Sequence, residues 1–167
     1  MPTPRSGAIP EDKAMRYLQL LVYEPDGLLA HLLRRGSEQA DGPFAVLLGG
    51  ADGPATVTVR EPREMEACLR LLRRGLPSVL VLKVSQDLER EFTLLERVVR
   101  LFPDTPAVVV GDRENPALAG LAWDLGAACV LFPPLPGEQL PGVVAGLLRS
   151  ALRMCLEQAE PQVESHA

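Results

Sequence analysis

The chain has 167 residues, of which 47% are hydrophobic, 23% are charged and 4% are aromatic, and its formal net charge is −5. This length and composition fit one globular domain and exclude a wholly disordered chain. The negative charge argues against general nucleic-acid binding, which depends on neutralising phosphates, and no apolar run is long enough for a membrane helix, so we expect neither partner.

Short apolar runs alternate with helical patterns along the chain. Runs that are apolar on both faces and alternate with helices predict an α/β fold, with a parallel sheet covered by helices on both sides. The predicted strands are residues 17–23, 55–59, 78–84, 106–110 and 127–132, and the predicted helices are residues 28–36, 64–74, 86–102, 115–125 and 140–155.

The two ends of the sequence are predicted to be flexible tails. Residues 1–14 are polar and rich in proline, and residues 156–167 are polar without periodicity. We therefore expect a single domain over residues 15–155.

The first two helices carry recognisable end signals. Asp26 is the expected N-cap of the first helix, and the sequence Leu-Leu-Arg-Arg-Gly closes both helices, at residues 32–36 and 71–75. Cations favour the negative end of a helix, and glycine accepts the left-handed conformation that follows it. Both helices are therefore expected to stop at this motif.

A glycine-rich segment interrupts the alternation before the second strand. Two strand-like runs, Phe44–Leu48 and Ala55–Val59, flank residues 49–54, whose sequence is Gly-Gly-Ala-Asp-Gly-Pro. Turn chemistry there favours a hairpin and hence an extra strand. The alternative is that residues 44–48 form a short helix or loop on the sheet.

The cysteines indicate the compartment. Cys68, Cys129 and Cys155 lie far apart in apolar surroundings, without a metal-ligand spacing or an obvious disulfide framework. We predict reduced thiols in a cytoplasmic protein.

From Pro77 onward, the sequence resembles the receiver domain of bacterial response regulators. The resemblance rests on residues 77–82, on 102–110 and on the Gly-Ala turn and strand of 125–134, with Val-Tyr-Glu-Pro-Asp upstream at residues 22–26. It implies a doubly wound five-stranded parallel sheet in the order 2-1-3-4-5, with five helices. The hairpin before strand 2 would be an addition to that fold.

The resemblance also implies where a phosphorylation site would lie, and the residues there have changed. A receiver needs an aspartate after its third strand, a serine or threonine after the fourth, a lysine after the fifth, and an acidic pair for Mg²⁺. The matching residues here are Lys83, Gly111 and Pro133, and the acidic pair survives only in part, as Glu24 with Asp26 nearby. Phosphoryl transfer depends on positioned charge and metal, so we expect a degenerate pocket with no catalytic residue, metal or cofactor.

Lys83 is one of only two lysines in the sequence. An ammonium at the end of an inner strand can stand in for a metal ion by pairing with neighbouring carboxylates. We predict an ion pair between Lys83 and Glu24, with Asp26 as the other acid within reach. In the alternative, the lysine extends into solvent.

The resembled family commonly uses its fourth helix, fifth strand and fifth helix to bind partners. That face would carry Trp123, Phe132 and Leu135, although the tryptophan could equally pack inside. The last helix has more apolar surface than one sheet face covers, which predicts a contact with a second copy or with another protein.

A small-ligand site and an enzyme are the two alternatives to a function in protein contact. A small-ligand or nucleotide site would use the carboxyl ends of the strands and the glycines of 49–54, which do not form a dinucleotide fingerprint. An enzyme is disfavoured because His31 and His166 lack a neighbouring nucleophile motif. The sequence therefore predicts a phosphorylation-independent pseudo-receiver that acts by protein contact in bacterial signalling or cellular organisation.

Overall fold

The structure is a computed structural model that describes residues 17–38, 42, 44–45, 55–134 and 139–159. The strands are β1 (Tyr17–Tyr23), β2 (Thr56–Arg60), β3 (Ser78–Val84), β4 (Ala107–Gly111) and β5 (Cys129–Leu131). The helices are α1 (Leu28–Glu38), α2 (Met65–Leu72), α3 (Leu88–Leu101), α4 (Pro116–Asp124) and α5 (Gln139–Ala159).

All five strands are parallel and lie in the order β2-β1-β3-β4-β5, which confirms the predicted fold class. The register places Tyr23 beside Leu82, and Lys83 beside Val110. The strand order reverses between β1 and β3, so a crevice opens where their carboxyl ends meet. Lys83 and the residues that follow β1 lie at this crevice.

Two hydrophobic cores cover the two faces of the sheet because side chains alternate along each strand. The core under α1 and α5 contains the buried strand residues Leu18, Leu20, Val22, Val79, Val81, Val108, Val110 and Leu131. The core under α2, α3 and α4 contains Leu21, Leu80, Leu82, Val84, Ala107 and Val109. Each fully buried leucine contributes about 2 kcal/mol, so this aliphatic packing holds the crevice in place.

The Leu-Leu-Arg-Arg-Gly motif ends one helix but not the other. Gly75 follows α2 with a φ of +76°, as predicted. Gly36 instead lies inside α1, where a β-carbon would be 3.3 Å from Cβ of Pro141. The glycine is needed there for close packing between α1 and α5, so the predicted end of the first helix was wrong.

The last helix also extends beyond its predicted boundary. Residues 156–159, assigned to the flexible tail, belong to α5. The side chain of Gln158 donates a hydrogen bond to Asp104 Oδ2 at 3.2 Å, which holds this extension against the loop before β4. None of the helices described is long and apolar enough to cross a lipid bilayer.

The predicted hairpin fails at the two of its first-strand residues that are described. Phe44 and Ala45 lie in a turn that begins a helix, where the amide of Ala45 donates to the carbonyl of Gly42 at 2.9 Å. Phe44 is fully buried in the core shared by α1 and α5, so this segment packs on the sheet as the alternative prediction had it. Residues 46–54, including the glycine-rich segment, lie outside the described residues.

Candidate functional site

The Lys83 side chain crosses the crevice at the carboxyl ends of the strands. It is 15% exposed, and its Nζ lies 3.0 Å from Asp26 Oδ2 and 3.7 Å from Asp112 Oδ1. The two carboxylates come from the loops after β1 and β4. One ammonium therefore ties together three segments that meet at this edge of the sheet.

Glu24 does not pair with Lys83, so that prediction was wrong. Its carboxylate accepts hydrogen bonds from the amides of Leu29, at 3.0 Å, and Ala30, at 2.8 Å. Glu24 is 7% exposed, and a buried carboxylate needs donors nearby. The first turn of α1 supplies two amides and the positive end of the helix dipole, which leaves the more exposed Asp26 to bind the lysine.

Asp26 has a second contact, at the start of α1. Its Oδ1 accepts a hydrogen bond from the amide of Leu28 at 3.3 Å. The predicted capping of the first helix is therefore shared, because Asp26 binds the first amide while Glu24 binds the next two.

The pKa values at this edge favour a charged pair. The hydrogen bond from Lys83 lowers the pKa of Asp26. Burial lowers the pKa of Lys83, but the hydrogen bond and charge of Asp26 outweigh it, and the net pKa is raised. Burial raises the pKa of Glu24 against the opposing effect of its two amide bonds.

These directions set the pH range of the Lys83–Asp26 pair. A lowered carboxyl pKa contributes stability above the ordinary value of about 4, and that stability is lost as the pH falls through the lowered pKa. A raised lysine pKa contributes stability below the ordinary value of about 10.4, and that stability is lost as the pH rises through the raised pKa. The pair is therefore intact throughout the neutral range.

A second buried carboxylate, missed in the sequence, organises the loop after β3. Glu91 is 5% exposed. It accepts hydrogen bonds from the amides of Ser85 at 3.1 Å, Gln86 at 3.3 Å and Asp87 at 3.3 Å. Asp87 in turn caps α3 by accepting from the amide of Arg90 at 3.2 Å. The spacing from the Asp87 cap to Glu91, one turn inside the helix, is the signal that could have revealed this contact.

Gly111 and Pro133, at the end of β4 and after β5, offer no side-chain donor. A β-carbon on Gly111 would lie 2.5 Å from Cε1 of Phe132, so the aromatic ring fills the space that a side chain would need. Pro133 has no amide hydrogen, and its peptide bond to Pro134 is cis. Neither position can donate a hydrogen bond from its side chain to an anion.

The charges present do not fit a magnesium ion. The ammonium of Lys83 occupies the crevice, and the Glu24 carboxylate is turned toward the amides of α1. Among the described residues, no three His, Cys, Asp or Glu side chains converge to hold a metal. The ammonium of Lys83 already neutralises the Asp26 carboxylate at this edge of the sheet.

A cavity of about 290 Å³ lies between the loops that follow β1, β2 and β3. Tyr23 and Pro62 line it, together with the cations Arg63, Lys83 and Arg90. Glu24 and Glu91 also line the cavity. Their carboxylates already accept hydrogen bonds from the nearby backbone amides. Charged and apolar groups both line the cavity, but the amides that would hold an anionic ligand are occupied.

The predicted partner face is partly exposed. Trp123 is 51% exposed and Leu121 is 44% exposed, whereas Ala122 is the buried residue between them on α4. Trp123 is therefore not packed between helix and sheet. Phe132 is half-buried against Gly111. Leu135 lies outside the described residues.

Asn115, His31 and Cys68 each have an ordinary structural setting. Asn115 caps α4, because its Oδ1 accepts hydrogen bonds from the amides of Ala117 at 3.1 Å and Leu118 at 3.2 Å. His31 is exposed on α1. Burial raises the pKa of Cys68 to about 12, which keeps its thiol protonated at neutral pH.

Comparison with solved structures identifies the fold. A signal receiver domain from Vibrio parahaemolyticus is 17% identical, with a TM-score of 0.62 over 84% of this chain and 96% of that chain. A CheY-like receiver domain protein from Methanospirillum hungatei is 12% identical, with a TM-score of 0.61 over 83% and 98% of the two chains. The receiver domain of NtrX from Brucella abortus is 17% identical, with a TM-score of 0.57 over 78% and 98%.

No protein-family model matches the sequence, and no curated protein matches it. At identities this low, the likeness to solved structures establishes a receiver-type fold and nothing finer.

Proposed function

We propose that this chain is a receiver-like regulatory module that acts by protein contact and without phosphorylation, in bacterial signalling or cellular organisation. The observation that carries the proposal is the ammonium of Lys83 at the carboxyl end of β3, bound by Asp26 at 3.0 Å. An ammonium cannot act as the carboxylate nucleophile of a phosphoryl transfer, and here it also replaces the charge of a metal. The Lys83 ammonium then occupies the pocket, and the carboxylates there need no bound metal ion.

Three internal contacts hold the loops around the crevice in one arrangement. Lys83 binds Asp26, Glu24 binds the first turn of α1, and Glu91 binds the loop after β3. Charge-assisted hydrogen bonds of this kind are about twice as strong as neutral ones. A module fixed in this way presents a constant surface, so its regulation would come from the partner and from its concentration.

The surface we propose for the partner is centred on Trp123 of α4. Tryptophan is enriched among residues that carry binding energy, and Trp123 is 51% exposed. Leu121 is exposed on the other flank of the same helix. The partner is a second copy of this chain or another protein. A cytoplasmic location belongs to the same proposal and is supported by the free thiols of the described cysteines.

Trp123→Ala combined with Leu121→Asp tests this surface. We expect the purified double variant to lose self-association, measured by light scattering, and to lose the partner that wild-type protein retains from a cell extract. Leu101→Asp is the matched control, because Leu101 is 53% exposed at the far end of α3. A folded double variant that keeps both associations would place the interface elsewhere.

The second candidate is a small ligand in the cavity of about 290 Å³ beside Lys83. Its cations, Arg63 and Arg90, favour an anionic compound, but Glu24 and Glu91 already occupy the amides such a ligand needs. Thermal shift in the presence of nucleotides separates the two candidates. Stabilisation that depends on Arg63 and Arg90 would favour the ligand, and no stabilisation favours protein contact.

A further inference from the structure

A basic groove lies at the β2 edge of the sheet, away from the proposed α4 surface. It has a volume of about 390 Å³ and runs between the loop after β2 and one side of α2. Its lining residues are Arg60, Glu61, Pro62, Ala67, Arg70, Leu71 and Arg74. In the sheet, β2 and β5 are at opposite ends.

The three arginines of the groove are free to meet a partner. Arg60, Arg70 and Arg74 are exposed, and within the described ranges no carboxylate lies within 4.0 Å of their guanidinium nitrogens. The acid of the groove, Glu61, is already bound by Arg34 at 2.8 Å. On a chain with a net charge of −5, the groove is a local concentration of positive charge.

The floor of the groove is apolar, and buried hydrogen bonds fix it to the sheet beneath it. Ala67 and Leu71 are half-buried side chains of α2. Gln19 of β1, which is 2% exposed, donates a hydrogen bond to the carbonyl of Leu71 at 3.2 Å and a second to Ser78 Oγ at 3.2 Å. This buried amide ties the end of α2 to the sheet. The arginines therefore project from a preformed scaffold, which lowers the entropic cost of binding.

We propose that this groove binds an acidic peptide segment of a partner protein, with carboxylates on the arginines and an apolar side chain over Leu71. Guanidinium groups bind carboxylates in a bidentate fork, which gives orientation as well as attraction. Single exposed ion pairs contribute only about 0.2–1 kcal/mol, so the apolar floor is needed for useful affinity. The apolar floor favours a peptide, whose apolar side chains can lie over Leu71, over the phosphate backbone of a nucleic acid.

This groove is independent of the proposed function. The α4 surface and the groove lie at opposite edges, so two proteins can bind at once and the chain can act as a connector. Trp123→Ala is expected to leave the groove intact, so failure at one surface says nothing about the other.

The test uses three fluorescent probes with wild-type protein: a peptide of alternating Glu and Leu, a Lys and Leu peptide, and a single-stranded oligonucleotide. We expect only the acidic peptide to bind, with an affinity that falls as salt is raised. Arg70→Glu combined with Arg74→Glu weakens binding by about tenfold or more. Arg100→Glu is the matched control, since Arg70 and Arg100 each lie in the last turn of a helix. Chemical-shift changes of backbone amides are expected along α2.

The proposal would be overturned by no binding of the acidic peptide, by equal weakening in Arg100→Glu, or by tighter binding of the oligonucleotide than of the peptide. Circular dichroism of each variant confirms that it is folded. Shift changes confined to residues outside α2 and the β2 loop would also overturn it.

Discussion

Glu91→Ala is expected to lower the free energy of unfolding by about 3 kcal/mol, measured by urea denaturation. The substitution leaves the amides of Ser85, Gln86 and Asp87 without their acceptor, and these amides are partly buried. Each buried donor left unsatisfied costs about 1–3 kcal/mol, and some of this cost is recovered where water enters. The loop after β3 would lose the carboxylate around which it folds.

Two variants show whether the loss comes from these bonds. Glu91→Gln keeps an acceptor oxygen and removes the charge, so we expect about half of the loss. Glu89→Ala is the matched control, because Glu89 is an exposed acid in the first turn of the same helix. Surface changes of this kind stay within about 0.5 kcal/mol. Equal losses for Glu89→Ala and Glu91→Ala would contradict the role of Glu91.

Lys83→Asp is expected to make the stability of the chain depend on Mg²⁺. The substitution removes the ammonium and places a third carboxylate beside Asp26 and Asp112. The attraction between Lys83 and Asp26 is lost and the three carboxylates repel one another, but Asp26 and Asp112 are 40% and 53% exposed, so we expect a loss of about 1–2 kcal/mol in a chelating buffer. Mg²⁺ prefers oxygen ligands, so millimolar Mg²⁺ is expected to restore most of that stability.

The same experiment has an internal control. Wild-type protein is expected to show no stabilisation by Mg²⁺, because Lys83 already neutralises these carboxylates. Adding Asp26→Asn to Lys83→Asp removes one ligand for Mg²⁺ and one repelling carboxylate. We therefore expect a smaller loss of stability in the chelating buffer and a smaller gain of stability when Mg²⁺ is added. If Lys83→Asp is as stable as wild type without Mg²⁺, or gains nothing with it, the lysine does not stand in for a metal.

The strand pattern was predictable because burial on both faces leaves an unbroken apolar run, as in residues 79–82 of β3. Helix ends were less predictable because the same local motif serves two purposes. Gly75 adopts a positive φ after α2, whereas Gly36 lies within α1 against Pro141. Only the packing of α1 on α5 distinguishes the two cases, and that packing is not encoded in neighbouring residues.

The site was predictable in location but not in pairing. The resemblance placed Lys83 at the strand end, and the register of β3 beside β4 bears out that position. Which acid it binds depends on where the first amides of α1 point, since those amides take the Glu24 carboxylate. The exposure of Trp123 is likewise decided by how α4 lies on the sheet, since the sequence of that helix is apolar all round.

The most direct test of phosphorylation independence is the intact mass of wild-type protein after incubation with acetyl phosphate and Mg²⁺. With Lys83, Gly111 and Pro133 at or after the carboxyl ends of β3, β4 and β5, we expect the mass and the backbone amide spectrum to stay unchanged. An acid-labile gain of one phosphoryl group on an aspartate, with shifted amides around the crevice, would contradict the account.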